Sequence, residues 1–140
     1  MSGKALHMKS AAQVLAASHD SAFLHLIRTL LDDLDLCVRT TMEWPSVPHL
    51  AAELRPAVAI LDLAPATETA CWLSVEALRA QATTRYIQIL MCPAAPWLVE
   101  EHRHQLDRLG ASTWSGSYDL QELLQFVASA TSGASPTASS

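Results

Sequence analysis

The chain has 140 residues, half of them hydrophobic and 16% charged. That size and apolar content suit one domain with a substantial core and argue against disorder. Nine Lys and Arg stand against fourteen Asp and Glu, a formal net charge of -5, the reverse of the balance by which proteins hold nucleic acid through its phosphates. No apolar run approaches the ~18 residues that cross a bilayer, and no secretory signal pattern is present. Neither nucleic acid nor a membrane is therefore expected as a partner, and the cytoplasm is the expected location. Cys37, Cys71 and Cys92 are odd in number and far apart, which fits buried thiols in a reducing compartment and gives no structural zinc motif.

Residues 1–11 read as a flexible leader and 131–140, TSGASPTASS, as a disordered tail or linker stub, because neither carries enough large apolar side chains to order itself. Between them, residues 12–130 alternate between two periodicities. Gln13–Ala17 is a short apolar run suited to a strand buried on both faces. Ser21 can cap a helix whose inward stripe is Phe23, Leu26, Ile27, Leu30, Leu31 and Leu34. Leu36–Thr40 predicts a second strand, and Val47–Leu54 a helix introduced by Pro45 and Pro48 and closed by Pro56. Val58–Leu61 is a third buried strand running straight into Asp62. A helix from about Cys71 to Ala82 follows, with Leu73, Ala77 and Leu78 inward, and then a fourth strand over Ile87–Cys92. Pro96 opens a helix carrying Glu100 and Glu101 early and Arg108 late, with Gly110 just past its end. Ser112–Trp114 is a brief fifth strand, and Asp119 with Glu122 makes an acidic capping box for a last helix bearing Leu120, Leu123, Leu124 and Val127.

Five strand–helix units with short connections imply a parallel sheet covered by helices on both faces. Sites in such sheets lie outside the carboxyl ends of the strands. Here that edge carries Ser18, His19 and Asp20, then Asp62, then Pro93 and Ala94, then Ser115–Ser117. The four glycines are Gly3, Gly110, Gly116 and Gly133. With none between residues 4 and 109, both the P-loop and the dinucleotide fingerprint are excluded, since those loops need glycine backbone. The only lysines are Lys4 and Lys9, so the folded region offers neither a Schiff-base lysine nor one that neutralises a phosphoryl group.

The order VLAASHD, AILDLAP, IQILMCPAA, LGASTW and DLQELL resembles the receiver domain of two-component response regulators over residues 12–130. The resemblance implies a flavodoxin-like (βα)5 fold with strand order 2-1-3-4-5, and a place in phosphorelay signalling rather than an enzyme. It makes Asp62 the candidate phosphoacceptor. The family's acidic pair for Mg2+ falls on Ser18 and His19, with Asp20 one residue late. Its Ser/Thr falls on Pro93 and its switch aromatic on Trp114. The family's lysine has no counterpart. Mg2+ is a hard ion that wants oxygen ligands, so the resemblance leaves it at best weakly held and specifies no other cofactor.

Loss of the metal cage and the lysine together points to a degenerate receiver that takes phosphate slowly or not at all. Such a domain would act by contact with a protein partner, a histidine kinase or a downstream effector. The family's face of fourth helix, fifth strand and fifth helix, carrying Trp97, Trp114 and Tyr118, is the candidate interface, for self-association as well. Trp114 is read equally well as core. Asp62 is also read as a strand-ending residue that caps the following loop. A second functional reading is a small α/β enzyme or ligand-binding domain using His19, Asp20 and Asp62. The i, i+3 pair Glu101 and His104 is read as a solvated helix face, and Cys92 as a small buried hydrophobe. No catalytic residue or metal ligand is assigned.

Overall fold

The computed structural model describes residues 13–114 and 120–131. The expected leader, all of the expected tail but Thr131, Ser115–Ser117, Tyr118 and the Asp119 cap lie outside the described residues. Five strands, β1 (Val14–Ala17), β2 (Val38–Thr41), β3 (Val58–Leu63), β4 (Gln88–Pro93) and β5 (Ala111–Thr113), form one sheet in the order β2-β1-β3-β4-β5. Every adjacent pair is parallel, so each connection must cross over the sheet, and helices make the crossings. These are α1 (Ser21–Asp32), α2 (Val47–Leu54), α3 (Glu68–Ala80), α4 (Pro96–Glu101), α5 (Arg103–Leu109) and α6 (Leu120–Thr131).

The strand alternation divides the core in two. Leu15, Ala17, Ala59, Leu61, Leu63, Ile89 and Met91 point to one side, where α2, α3, α4 and α5 bring Val47, Val75, Leu78, Leu98 and Leu106. Val14, Ala16, Val58, Ile60, Leu90 and Cys92 point to the other, against Leu24, Ile27 and Leu31 of α1 and Leu123 and Val127 of α6. The central strands β1 and β3 are buried at every position. This is why their sequences are apolar runs rather than alternating patterns.

Three helix details correct the sequence expectations. Asp20, not Ser21, is the N-cap of α1, its carboxylate accepting from the Ala22 N–H at 2.9 Å. The inward stripe of α1 runs through Leu24, Ile27 and Leu31, leaving Leu26 at the surface, and on α3 it runs through Cys71, Trp72, Val75 and Leu78 with Leu73 exposed. In both helices a periodic apolar residue sits about 100° off the true inward direction, and only the packed sheet decides which stripe faces in. Arg55, in the left-handed region at φ 49°, ends α2 before Pro56 is reached.

The expected single helix from Pro96 to Gly110 is two, broken at His102 (φ -112°, ψ 18°), although the Leu106 N–H still reaches the His102 carbonyl at 2.9 Å. The break falls where the His102 side chain is drawn inward to Glu68 and Gln105. Gly110 ends α5 at φ 66°, a left-handed conformation that costs residues with a Cβ. Beside it, the Arg79 guanidinium collects four backbone carbonyls, those of Leu109, Arg85, Ile87 and Gly110, at 2.7–3.2 Å. It ties the end of α5 to the loop that leads into β4.

Candidate functional site

Asp62 is the next-to-last residue of β3 and is 9% exposed. The sheet register fixes its neighbours. Ala17 pairs with Leu61 and Asp62 with Cys92, so one further step beyond β1 brings Ser18 opposite Asp62. The Ser18 hydroxyl donates to Asp62 Oδ2 at 2.6 Å and accepts from the Asp20 N–H at 2.9 Å. Ser18 is fully buried, and both hydrogen-bonding capacities of its hydroxyl are used in holding the carboxylate to the loop that starts α1. A hydroxyl-to-carboxylate bond of this length belongs to the strong, charge-assisted class.

The other expected edge residues do not join this pair. Asp20 is exposed with one carboxylate oxygen committed to the α1 cap, and His19 is exposed. Pro93 is buried at the end of β4, where it can donate nothing, and chain pairing resumes beyond it through the Ala94 N–H to the Leu63 carbonyl at 2.8 Å. Trp114 is 5% exposed and packs in the α1/α6 half of the core. Its ring is therefore part of the core on that side. Trp97 on α4 is 53% exposed. Tyr118 lies outside the described residues.

Whether the edge suits Mg2+ follows from its donors. The ion demands near-octahedral oxygen coordination and usually takes one or two carboxylates with several waters. Here one buried carboxylate remains, and its nearest companion is a neutral serine already donating to it. With Asp20 committed to the α1 cap, this is a poorer oxygen set than a pair of acids beside Asp62 would make. Sequence reasoning missed the Ser18–Asp62 contact, though the signal was present: VLAA before Ser18 and VAIL before Asp62 are apolar runs of equal length, which aligns the two residues once the strands are taken as parallel neighbours.

Two thiols flank the same edge. Burial pushes the Cys71 thiol well above the ordinary thiol range, with the negative charges of Asp62 and Glu68 adding to it. Cys92 is raised in the same way by burial, then by Asp62 and Cys71. Since the thiolate is the reactive form, both are inert in the folded chain, whereas Cys37 is half-buried. Alkylation under native conditions, followed by peptide mass mapping, is expected to label Cys37 first and to reach Cys71 and Cys92 only with unfolding. Early labelling of Cys92 would overturn this placement.

No family model matches the sequence, and no curated protein matches it either. Solved structures do match in shape. The chemotaxis response regulator CheY4 of Vibrio cholerae superposes with a TM-score of 0.69 at 23% identity, covering 84% of this chain and 99% of that one. A sensor protein from Polaromonas sp. JS666 gives 0.72 at 20% identity over 86% and 96%. The receiver domain of the sensor histidine kinase PA1611 of Pseudomonas aeruginosa, solved with a magnesium ion coordinated in its active site cleft, gives 0.70 at 15% over 87% and 99%. Among the described residues no helix is long and apolar enough to cross a membrane. The five-stranded parallel sheet, its 2-1-3-4-5 order and these superpositions together give the chain the fold of response-regulator receiver domains, with an aspartate at the carboxyl edge of its central strand.

Proposed function

We propose that this chain is a receiver-type signalling module of a phosphorelay that works through protein–protein contact and takes up phosphate at Asp62 slowly or not at all. The observation that carries the reading is the Ser18–Asp62 hydrogen bond. It puts a neutral hydroxyl where the receiver pattern has an acidic metal ligand, and it ties one of the two carboxylate oxygens to the loop before α1. Phosphoryl transfer is mostly positioning and neutralisation of charge on the equatorial oxygens. No lysine lies in the folded region, and Pro93 offers no hydroxyl, so neither demand is met. The core position of Trp114 supports the same view, since the aromatic already sits inside without a phosphoryl group to draw it in. Partners are a histidine kinase or a downstream effector. The surface offered to them, or to a second copy, is built from α4, β5 and α6 with Trp97 at its exposed end.

Nothing favours the enzyme or ligand-binding alternative, since the Asp20 side chain caps a helix and no hydrogen bond joins the side chain of His19 or Asp20 to Asp62 among the described residues. The test is a titration with beryllofluoride and Mg2+ followed by amide NMR. The expected result is no saturable change at the amides of residues 18, 62, 94 and 114 at millimolar reagent. Saturable shifts centred on Asp62 and reaching Trp114 would instead establish a working phosphate switch.

A further inference from the structure

A second cluster of ligand-type side chains lies outside the Asp62 site, where the first turn of α3 meets the break between α4 and α5. Glu68, Glu101 and His102 each bring one ligand atom to within 4.8 Å of the others. His102 is the anchor. Its side chain is 12% exposed, its ring packs against Trp72 at 5.1 Å between centroids, and its Nδ1 lies 2.6 Å from Gln105 Oε1. An amide oxygen only accepts, so Nδ1 carries a proton and donates, which turns Nε2 the other way, toward Glu68. Nε2 is buried and meets the Glu68 carboxylate. Two such groups face each other only with a cation between them, either a second proton on the ring or a metal ion held by both. Glu101, adjacent in sequence and exposed, closes the cluster from the solvent side.

We propose that Glu68, Glu101 and His102 form a site for a borderline divalent transition ion of the Zn2+ class, with Gln105 as the positioning residue. The arrangement is that of metal-bound histidines in general: one ring nitrogen on the ion, the other donating to a carbonyl or carboxylate that fixes tautomer and orientation. One imidazole and two carboxylates suit Zn2+ or Co2+ better than Mg2+ or Ca2+, because nitrogen donors favour the later first-row ions. Three protein ligands leave a tetrahedral ion one position for water. The turn at His102 brings Glu101 and His102 toward one point instead of around a cylinder. The pair singled out by helical spacing, Glu101 and His104, is not the one assembled, since His104 remains exposed outside the cluster.

The test uses the full chain and the metal ion alone. Titration with Co2+ is expected to give saturable visible absorption without the near-ultraviolet thiolate band that cysteine ligation produces, and Zn2+ is expected to displace it. Paramagnetic broadening in the NMR spectrum is expected first at the Gln105 side-chain amide and the Trp72 indole N–H, not at Ser18 or Asp62. Glu68→Gln and His102→Gln should each weaken binding at least tenfold, Gln105→Leu by roughly 10–100-fold, and His104→Ala not at all. The broadening pattern of the unsubstituted chain keeps the test decisive if a variant fails to fold. Broadening centred on Asp62, a thiolate band, a loss on His104→Ala, or no saturable binding at millimolar ion would each overturn the site. None of these outcomes depends on whether Asp62 accepts a phosphoryl group.

Discussion

Ser18→Asp is expected to lower the unfolding free energy by roughly 3 kcal/mol at neutral pH, and Mg2+ is expected to restore part of it. Position 18 is fully buried and its side chain lies against Asp62 Oδ2. A second carboxylate there replaces a charge-assisted hydrogen bond by like-charge repulsion in a site closed to water, the kind of uncompensated buried charge that costs about 3–5 kcal/mol. The deficit should grow as pH rises. A carboxyl crowded against a carboxylate keeps its proton to higher pH in the folded chain than in the unfolded one, so the folded state binds more protons and loses stability as they leave. A divalent ion that binds only the folded state reverses the loss by mass action. Ser18→Ala separates the two causes. It removes the donor to Asp62 and the acceptor for the Asp20 N–H without adding charge, at about 1–3 kcal/mol, with no response to Mg2+. Urea unfolding of the three proteins with and without Mg2+, at acid and neutral pH, measures all of this. A Ser18→Asp protein as stable as its parent in every condition would show that residue 18 does not face the carboxylate.

Arg79→Met should cost about 3 kcal/mol, a large effect for a residue outside the apolar core. The guanidinium donates to the carbonyls of Leu109, Gly110, Arg85 and Ile87, which lie on separate stretches of chain. Burial alone lowers its pKa from the ordinary arginine value, and the carbonyl dipoles it gathers stand in for water. Hydrogen bonds to a charged group are worth about 1.5–3 kcal/mol each in isolation. Partial exposure and the access of water to the freed carbonyls bring the sum of four down to the figure given. Arg79→Lys should recover little, because a compact ammonium cannot span what a planar fork with five donors reaches. Hydrogen exchange should locate the damage at the C-terminus of α5 and the start of β4. Equal stability of the Lys variant and the parent would show that charge, not fork geometry, is what matters there.

Much of the fold was legible from residue order. Four- and five-residue apolar runs alternating with helical stripes, proline at helix starts and the absence of glycine between residues 4 and 109 are local signals, and the parallel sheet follows from them. Val47–Leu54 matches its prediction at both ends because Pro48 stands in its first turn and a left-handed residue follows its last. Local patterning could not say which of two adjacent apolar residues on α1 or α3 turns inward. Leu26 and Leu73 are as hydrophobic as Leu24 and Leu78, and the difference lies in where the sheet is.

The candidate site divides along the same line. An aspartate near the end of an apolar strand, with no lysine between residues 10 and 140 and a proline at the end of the fourth strand, is a property of residue order. The bond between Ser18 and Asp62 links residues 44 apart in the chain, and the contact of Glu68 with His102 reaches from one helix to the break between two others. Contacts of that range have no period and no spacing to betray them. They exist because parallel strands fall into one register and because packed helices end where a side chain finds a partner, and both conditions are met only once the whole chain has folded.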